Sequence, residues 1–175
     1  MKKSIAVLAI SLLALLPVHA GQLTLAVVQF SADGDANTIT SGLAGVNLAE
    51  ATNGERASAR GSSIDNGLVL FSAVVATSPG SSVRFSARQK GQVGTVDALV
   101  TAGAVRATVT IDETIALGLK RFSTRSYSGD SALPGRDPVL LKAKKLSWIV
   151  PAEGRMNKGG RQIQTTVALL AQYLP

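Results

Sequence analysis

The residue types that most often perform catalysis or bind metals are nearly absent from this chain of 175 residues. It contains no Cys, and its single His is His19. We expect His19 to be removed with an N-terminal signal, which would leave the mature chain without thiol or imidazole groups. This composition excludes Cys nucleophiles, Ser-His-Asp triads, and blue-copper, iron–sulfur and common zinc sites.

Carboxylates are the remaining candidates for acid–base chemistry. Asp33 and Asp35 lie in an Asp- and Gly-rich turn that lacks the further ligands of an EF-hand loop, and Asp112 precedes Glu113. A carboxylate pair of the glycosidase type stays an alternative, because the fold sets the spacing of such pairs. However, aromatic residues, which usually line sugar clefts, make up only 4% of the chain. Nucleophile-elbow, S-x-x-K, H-E-x-x-H and phosphate-loop motifs are absent from the sequence. We therefore predict a protein that is not an enzyme and uses no cofactor or metal.

The charge of +7 is unevenly distributed along the sequence. Residues 21–119 hold six basic and eight acidic side chains, whereas residues 120–175 hold ten basic and three acidic ones. Such a region is either a solvated face or a surface that binds a polyanion, for example an acidic polysaccharide, or an acidic partner. It lacks the interleaved aromatics that stack on bases, so we expect no nucleic acid partner. The candidate polyanion face comprises Lys142, Lys144, Lys145, Arg155, Lys158 and Arg161.

The first 20 residues have the pattern of a Sec-type signal peptide. Lys2 and Lys3 precede an apolar run over residues 5–16, and Val18-His19-Ala20 provides small residues before Gly21. The run is shorter than the ~20 residues that span a bilayer, and no later segment is long enough either. We predict cleavage before Gly21, a single domain over residues 21–175 without a transmembrane segment, and a location in the periplasm, at the cell surface or outside the cell.

The mature chain is predicted to be all-β. About eight short strands with alternating or wholly apolar patterns are separated by turn residues, which is typical of a single-domain β-sandwich, immunoglobulin-like or jelly-roll-like. The predicted strands cover residues 22–30, 67–77, 82–88, 93–101, 105–119 with an interruption at Asp112-Glu113, 139–143, 146–150 and 161–174. Residues 67–77 are apolar on both faces, as expected of a central strand. Residues 38–63 read as loop with short extended pieces and one helical turn at most, and residues 123–138 as a polar loop.

The two terminal strands are the candidate assembly elements. Leu23, Leu25 and Val27 share one face of the first strand, which begins directly after the predicted cleavage site. The last strand places Ile163, Val167, Leu169 and Tyr173 on one face. These strands either pair within the domain, or the first strand, residues 21–30, passes into a neighbouring subunit by β-strand addition.

These terminal features resemble those of chaperone–usher pilus subunits. The resemblance lies in the signal peptide, the alternating strand over residues 22–30, and a final strand with Tyr173 near its end after Gly159-Gly160. It implies an incomplete immunoglobulin-like fold, a periplasmic chaperone, an outer-membrane usher and a fibre at the cell surface. We accordingly predict a non-enzymatic structural or adhesive subunit of a surface fibre or envelope assembly, joined to like subunits by β-strand complementation. The alternative is a monomeric exported module that binds a polyanion or an assembly partner through its basic C-terminal third.

Overall fold

A computed structural model describes residues 20–31, 36–53, 56–57, 67–89, 92–117, 119–133, 135–150 and 161–175. The predicted signal peptide, residues 1–20, lies outside the described residues except for Ala20, which is exposed. The described elements are β1 (Gly21–Ser31), α1 (Ala36–Ser41), α2 (Leu48–Ala51), β2 (Arg56–Ala57), β3 (Gly67–Thr77), β4 (Ser82–Gln89), β5 (Gln92–Val100), β6 (Ala104–Leu117), β7 (Leu119–Ala132), β8 (Val139–Val150) and β9 (Arg161–Leu174). The all-β prediction is confirmed.

The strands form two antiparallel sheets that pack face to face. One sheet has the order β2-β3-β1-β9-β8 and the other the order β4-β5-β6-β7. Apolar residues at alternate positions of both sheets meet in a shared core, as expected of a β-sandwich. The first sheet contributes Leu25, Phe71 and Leu169 to this core, and the second contributes Val96 and Val109. The predicted sandwich is therefore the observed architecture.

A second apolar layer covers the outer face of the five-stranded sheet. Ile39 and Leu48 of the two helices pack there against Ala26, Val28 and Leu170 of the central strands. The five-stranded sheet is thus buried on both faces where the helices lie. This explains why β1 and β9 are apolar at successive positions rather than only at alternate ones.

The helices correct the expectation of one helical turn at most within residues 38–63. Two short helices form there because tertiary contacts outweigh the low helix propensity of this Gly- and Thr-rich segment. Asn47 caps α2 by accepting a hydrogen bond from the backbone N–H of Ala49 at 3.2 Å. The buried Gln172 side chain of β9 accepts a further bond from the Leu48 N–H at 2.7 Å. The sheet therefore supplies part of the cap for the helix that covers it.

The structure also corrects three expectations about strand continuity. Residues 123–132 belong to β7 rather than to a polar loop: Tyr127 is buried while its neighbours Ser126 and Ser128 are exposed, so the polar residues form the solvent face of a strand. The strand β6 runs through Asp112-Glu113 without interruption, since both positions stay paired with β7. Residues 139–150 form a single strand, with a bulge between Leu140 and Lys142.

The position of β3 differs from that of a central strand. Among the described residues, only Arg56 and Ala57 of β2 pair with its outer side, opposite Leu68 and Gly67. In the described part of the chain, the rest of β3 pairs with β1 alone. Phe71 belongs to the core between the sheets and Val69 to the layer under the helices, whereas Leu68 and Val74 are exposed.

Candidate assembly site

The predicted assembly strand, β1, occupies the middle of the five-stranded sheet. It pairs with β3 on one side, from Gly21 opposite Thr77, and with β9 on the other, from Gln22 opposite Leu174. The side chains of Leu23, Leu25 and Val27 are at most 1% exposed and lie in the core between the sheets. The first strand is therefore paired on both sides and buried in this structure.

The predicted residues of the C-terminal strand lie beside those of β1. Tyr173 is opposite Leu23, and Leu169 is opposite Val27. Val167, Leu169 and Tyr173 all belong to the core between the sheets. Ile163 lies in β9 opposite Trp148, but its side chain is outside the described residues. The sequence therefore identified two strands that pair directly along their length.

Tyr173 packs against the beginning of β1 and bonds to the neighbouring strand β3. Its hydroxyl donates a hydrogen bond to the carbonyl oxygen of Thr77 at 3.3 Å. Its ring covers Gly21 so closely that a Cβ at Gly21 would collide with it and with the carbonyl oxygen of Leu174. Glycine is thus required at the first position of β1 by a close approach between side chain and backbone.

The lysines of the predicted polyanion face lie along β8, at the edge of the five-stranded sheet. Lys142, Lys144 and Lys145 are all exposed. Among the described residues none of the three has a carboxylate within ion-pair distance. Lys142 and Lys144 are opposite the core residues Leu169 and Val167, so they project toward the four-stranded sheet, whereas Lys145 projects to the other side. Arg155 and Lys158 lie outside the described residues, as does the side chain of Arg161.

A pocket of about 330 Å³ opens between the edge strands β7 and β8 next to Lys144. The two strands approach closely at Gly129, where a Cβ would collide with the Leu141 carbonyl, and separate toward Leu146. Arg125, half-buried, and Tyr127, buried, line the pocket together with Lys144. Lys144 is the exposed cation of this pocket, and the Thr124 hydroxyl that also lines it donates a hydrogen bond to Asp112 at 2.7 Å.

Two structural features escaped the sequence analysis. Arg125 of the pocket was assigned to a polar loop; the alternation of residues 124–130 was the signal that could have placed it on a strand. Gln172 is a lone amide within an apolar run. Its side chain accepts from Leu48 and donates to the carbonyl oxygens of Val46 at 2.9 Å and Arg136 at 2.8 Å. The place of Arg125 in the pocket and the hydrogen bonds of Gln172 both depend on contacts between segments distant in sequence.

Within the described ranges, no three acidic side chains gather as metal ligands do. In that same part of the chain, no helix has the length and apolar character needed to cross a membrane. Comparison with known proteins found no matching family model, no matching curated protein and no matching solved structure.

Proposed function

We propose that this chain is an exported, non-enzymatic structural or adhesive subunit of a cell-surface fibre or envelope assembly, joined by β-strand complementation. The observation that carries the proposal is the position of β1. It is the first element after the predicted cleavage site, and it fills the central place of its sheet. A strand attached to its domain at only one end can leave that place and enter the same place in another copy.

Such an exchange costs little contact energy because donor and acceptor are the same segment in every copy. The incoming β1 would meet the same β3 and β9 hydrogen-bonding groups and place Leu23, Leu25 and Val27 in the same core. The intramolecular pairing seen here is then the closed form of the subunit, and the linked form uses identical contacts between copies. Before assembly, a subunit that has not yet received its strand needs a cover for β3 and β9, which a periplasmic chaperone would provide.

The proposal is tested by supplying β1 as a separate peptide. In the mature chain, Leu25→Asp places a carboxylate in the core and should weaken the chain's own β1, because burying an unpaired charge costs several kcal/mol. A peptide with the sequence of residues 21–31 should restore the melting temperature of this variant by occupying the vacated place. The matched control is the same peptide carrying Leu25→Asp, which should restore nothing.

Failure of the unaltered peptide to bind and stabilise the Leu25→Asp chain would contradict strand exchange through β1. In the unaltered mature chain, exchange should also produce multimers that increase with protein concentration, measured by light scattering.

A second candidate function, binding of an acidic polysaccharide, is favoured by the exposed lysines of β8. The charges of Lys142, Lys144 and Lys145 are not neutralised by described carboxylates, so they remain available to a polyanion. Retention on heparin should decrease as salt is raised, since exposed charges are screened over about 8–10 Å at physiological ionic strength.

The control for net charge replaces arginines of the four-stranded sheet instead of the lysines of β8. Replacing the three lysines by Gln should reduce retention more than replacing Arg84, Arg88 and Arg106 by Gln, although both variants lose the same formal charge. These arginines are exposed on β4 and β6. Equal losses in the two variants would show that retention follows net charge alone and would contradict a binding face on β8.

A further inference from the structure

The outer face of the four-stranded sheet is a surface built from alternate residues of all four strands. Each strand contributes four side chains, and all of them are exposed or half-buried. In register from one end of the sheet, the set comprises Ser82, Arg84, Ser86 and Arg88 of β4, Leu99, Asp97, Thr95 and Val93 of β5, Arg106, Thr108, Thr110 and Asp112 of β6, and Asp130, Ser128, Ser126 and Thr124 of β7. We call this surface the hydroxyl face, because half of its residues are Ser or Thr.

Side-chain hydrogen bonds of the hydroxyl face connect its own residues. Arg84 forms an ion pair with Asp97, and the hydroxyls of Ser86 and Thr95 share a hydrogen bond of 3.2 Å. Arg106 differs, since no described carboxylate lies within ion-pair distance of it. The face therefore has a cation that remains available to a group outside the domain.

The charges of the hydroxyl face balance each other. It carries three arginines and three aspartates, so it has no net charge. The mature chain as a whole is positive, with 16 basic and 11 acidic residues over positions 21–175, so two copies repel each other in most orientations. Contact through the hydroxyl face avoids this repulsion between the surfaces that meet.

From this arrangement we infer that two copies of the chain pair through the hydroxyl face, about a two-fold axis that crosses the strands at the middle of the face. Such an axis exchanges the two ends of each strand, so Asp112 lies opposite the partner's Arg106 and Val93 lies opposite the partner's Leu99. Symmetry makes each of these contacts twice. Every other charged residue of the face then meets a hydroxyl group: Arg84 meets the partner's Ser86, Arg88 the partner's Ser82, Asp97 the partner's Thr95, and Asp130 the partner's Thr124.

The direction of the axis follows from the same residues. A two-fold axis along the strands would place Asp112 on the partner's Val93 and Arg106 on the partner's Leu99. That pairing would cover charges with apolar groups and form no ion pair, which is costly. The axis across the strands instead joins opposite charges and apolar groups separately. Facing sheets lie about 10 Å apart and cross at up to about 30°, an offset that the long side chain of Arg106 can span.

The test uses the mature chain, residues 21–175, in sedimentation analysis over a concentration series. Arg106→Asp and Asp112→Arg each place two pairs of like charges in the interface and should weaken the dimer by about tenfold or more per pair. Arg136→Asp is the control, because it makes the same change of charge at an exposed position outside the hydroxyl face and should leave the dimer intact. Multimers formed by exchange of β1 should persist in all three variants, since β1 belongs to the other sheet.

The double variant Arg106→Asp/Asp112→Arg separates a contact between copies from a general loss of stability. Both residues lie on β6, six positions and thus about 20 Å apart, so they do not meet within one chain. Restoration of the dimer in the double variant therefore requires contact between copies. An unaltered chain without the dimer, single variants that associate as the unaltered chain does, or a double variant that stays as weak as the single ones would overturn the inference.

Discussion

Single residues limit how closely the two sheets can approach each other. Gly94 of β5 lies in the core beneath the ring of Phe71 from β3, and a Cβ at this position would collide with that ring. The absence of a side chain at Gly94 therefore makes room for the largest fully buried side chain among the described residues. A core packed this densely does not accept an added methyl group without displacing its neighbours.

We expect Gly94→Ala to lower the free energy of unfolding by about 1–3 kcal/mol, because overpacking forces the Phe71 ring or the backbone of β5 to shift. Urea denaturation monitored by circular dichroism measures the change. Gly103→Ala is the control, since a Cβ there meets no atom within 4 Å. Equal stability of the two variants would mean that Phe71 does not pack on Gly94.

At the level of elements, the helical layer depends on one polar side chain. Gln172 is 3% exposed, and its amide bonds three backbone groups, of Leu48, Val46 and Arg136. It therefore connects the last strand to α2 and to the segment before β8. A buried amide of this kind is stabilising only when its partners are all in place.

Gln172→Ala should reduce the free energy of unfolding by about 2 kcal/mol or more, since leaving even one buried polar group unpaired costs about 1–3 kcal/mol. Thermal unfolding provides the measurement. The comparison variant is Gln22→Ala, at an exposed position of the neighbouring strand β1, which should change the stability by less than about 0.5 kcal/mol. A similar effect at both positions would contradict the bridging role of Gln172.

At the scale of the whole molecule, the order of the strands separates the charged surface from the uncharged one. The five-stranded sheet ends in the cationic β8 on one side and, beyond the two residues of β2, in the uncharged β3 on the other. Binding of a polyanion would therefore use the β8 edge of this sheet. The first strand, β1, lies between β3 and β8 in this sheet and begins where the signal peptide is predicted to end.

The exported protein should begin at Gly21, as determined by mass spectrometry of the intact chain. The physical reason is the sequence Val18-His19-Ala20, whose small residues suit a signal peptidase. In the structure β1 starts at Gly21 and Ala20 is exposed, so cleavage there would leave every pair of the β1 ladder intact. A mature chain that retained Met1 would contradict both the predicted compartment and the absence of histidine.

The sequence by itself determined the fold class and the strands whose side chains alternate. Residues 67–77 were predicted with the bounds that the structure has, because a run of β-branched and apolar residues ends there at Ser78-Pro79-Gly80. Gly80, with φ of +87°, fits the turn that this sequence predicts. Leu23, Leu25 and Val27 were likewise assigned to one buried face. Period-two patterns are local, so they can be read without knowing the neighbours of a strand.

Only the tertiary structure decided which strands are neighbours and what covers each face. Residues 67–77 were expected at the centre of a sheet, yet β3 lies near its edge, and its apolar residues Leu68 and Val74 are exposed. The missed helices form where they cover the apolar outer faces of β1 and β9. The pocket beside Lys144 and the contacts of Gln172 join residues far apart in the chain. Such contacts depend on how distant segments pack together, and local sequence patterns do not encode that packing.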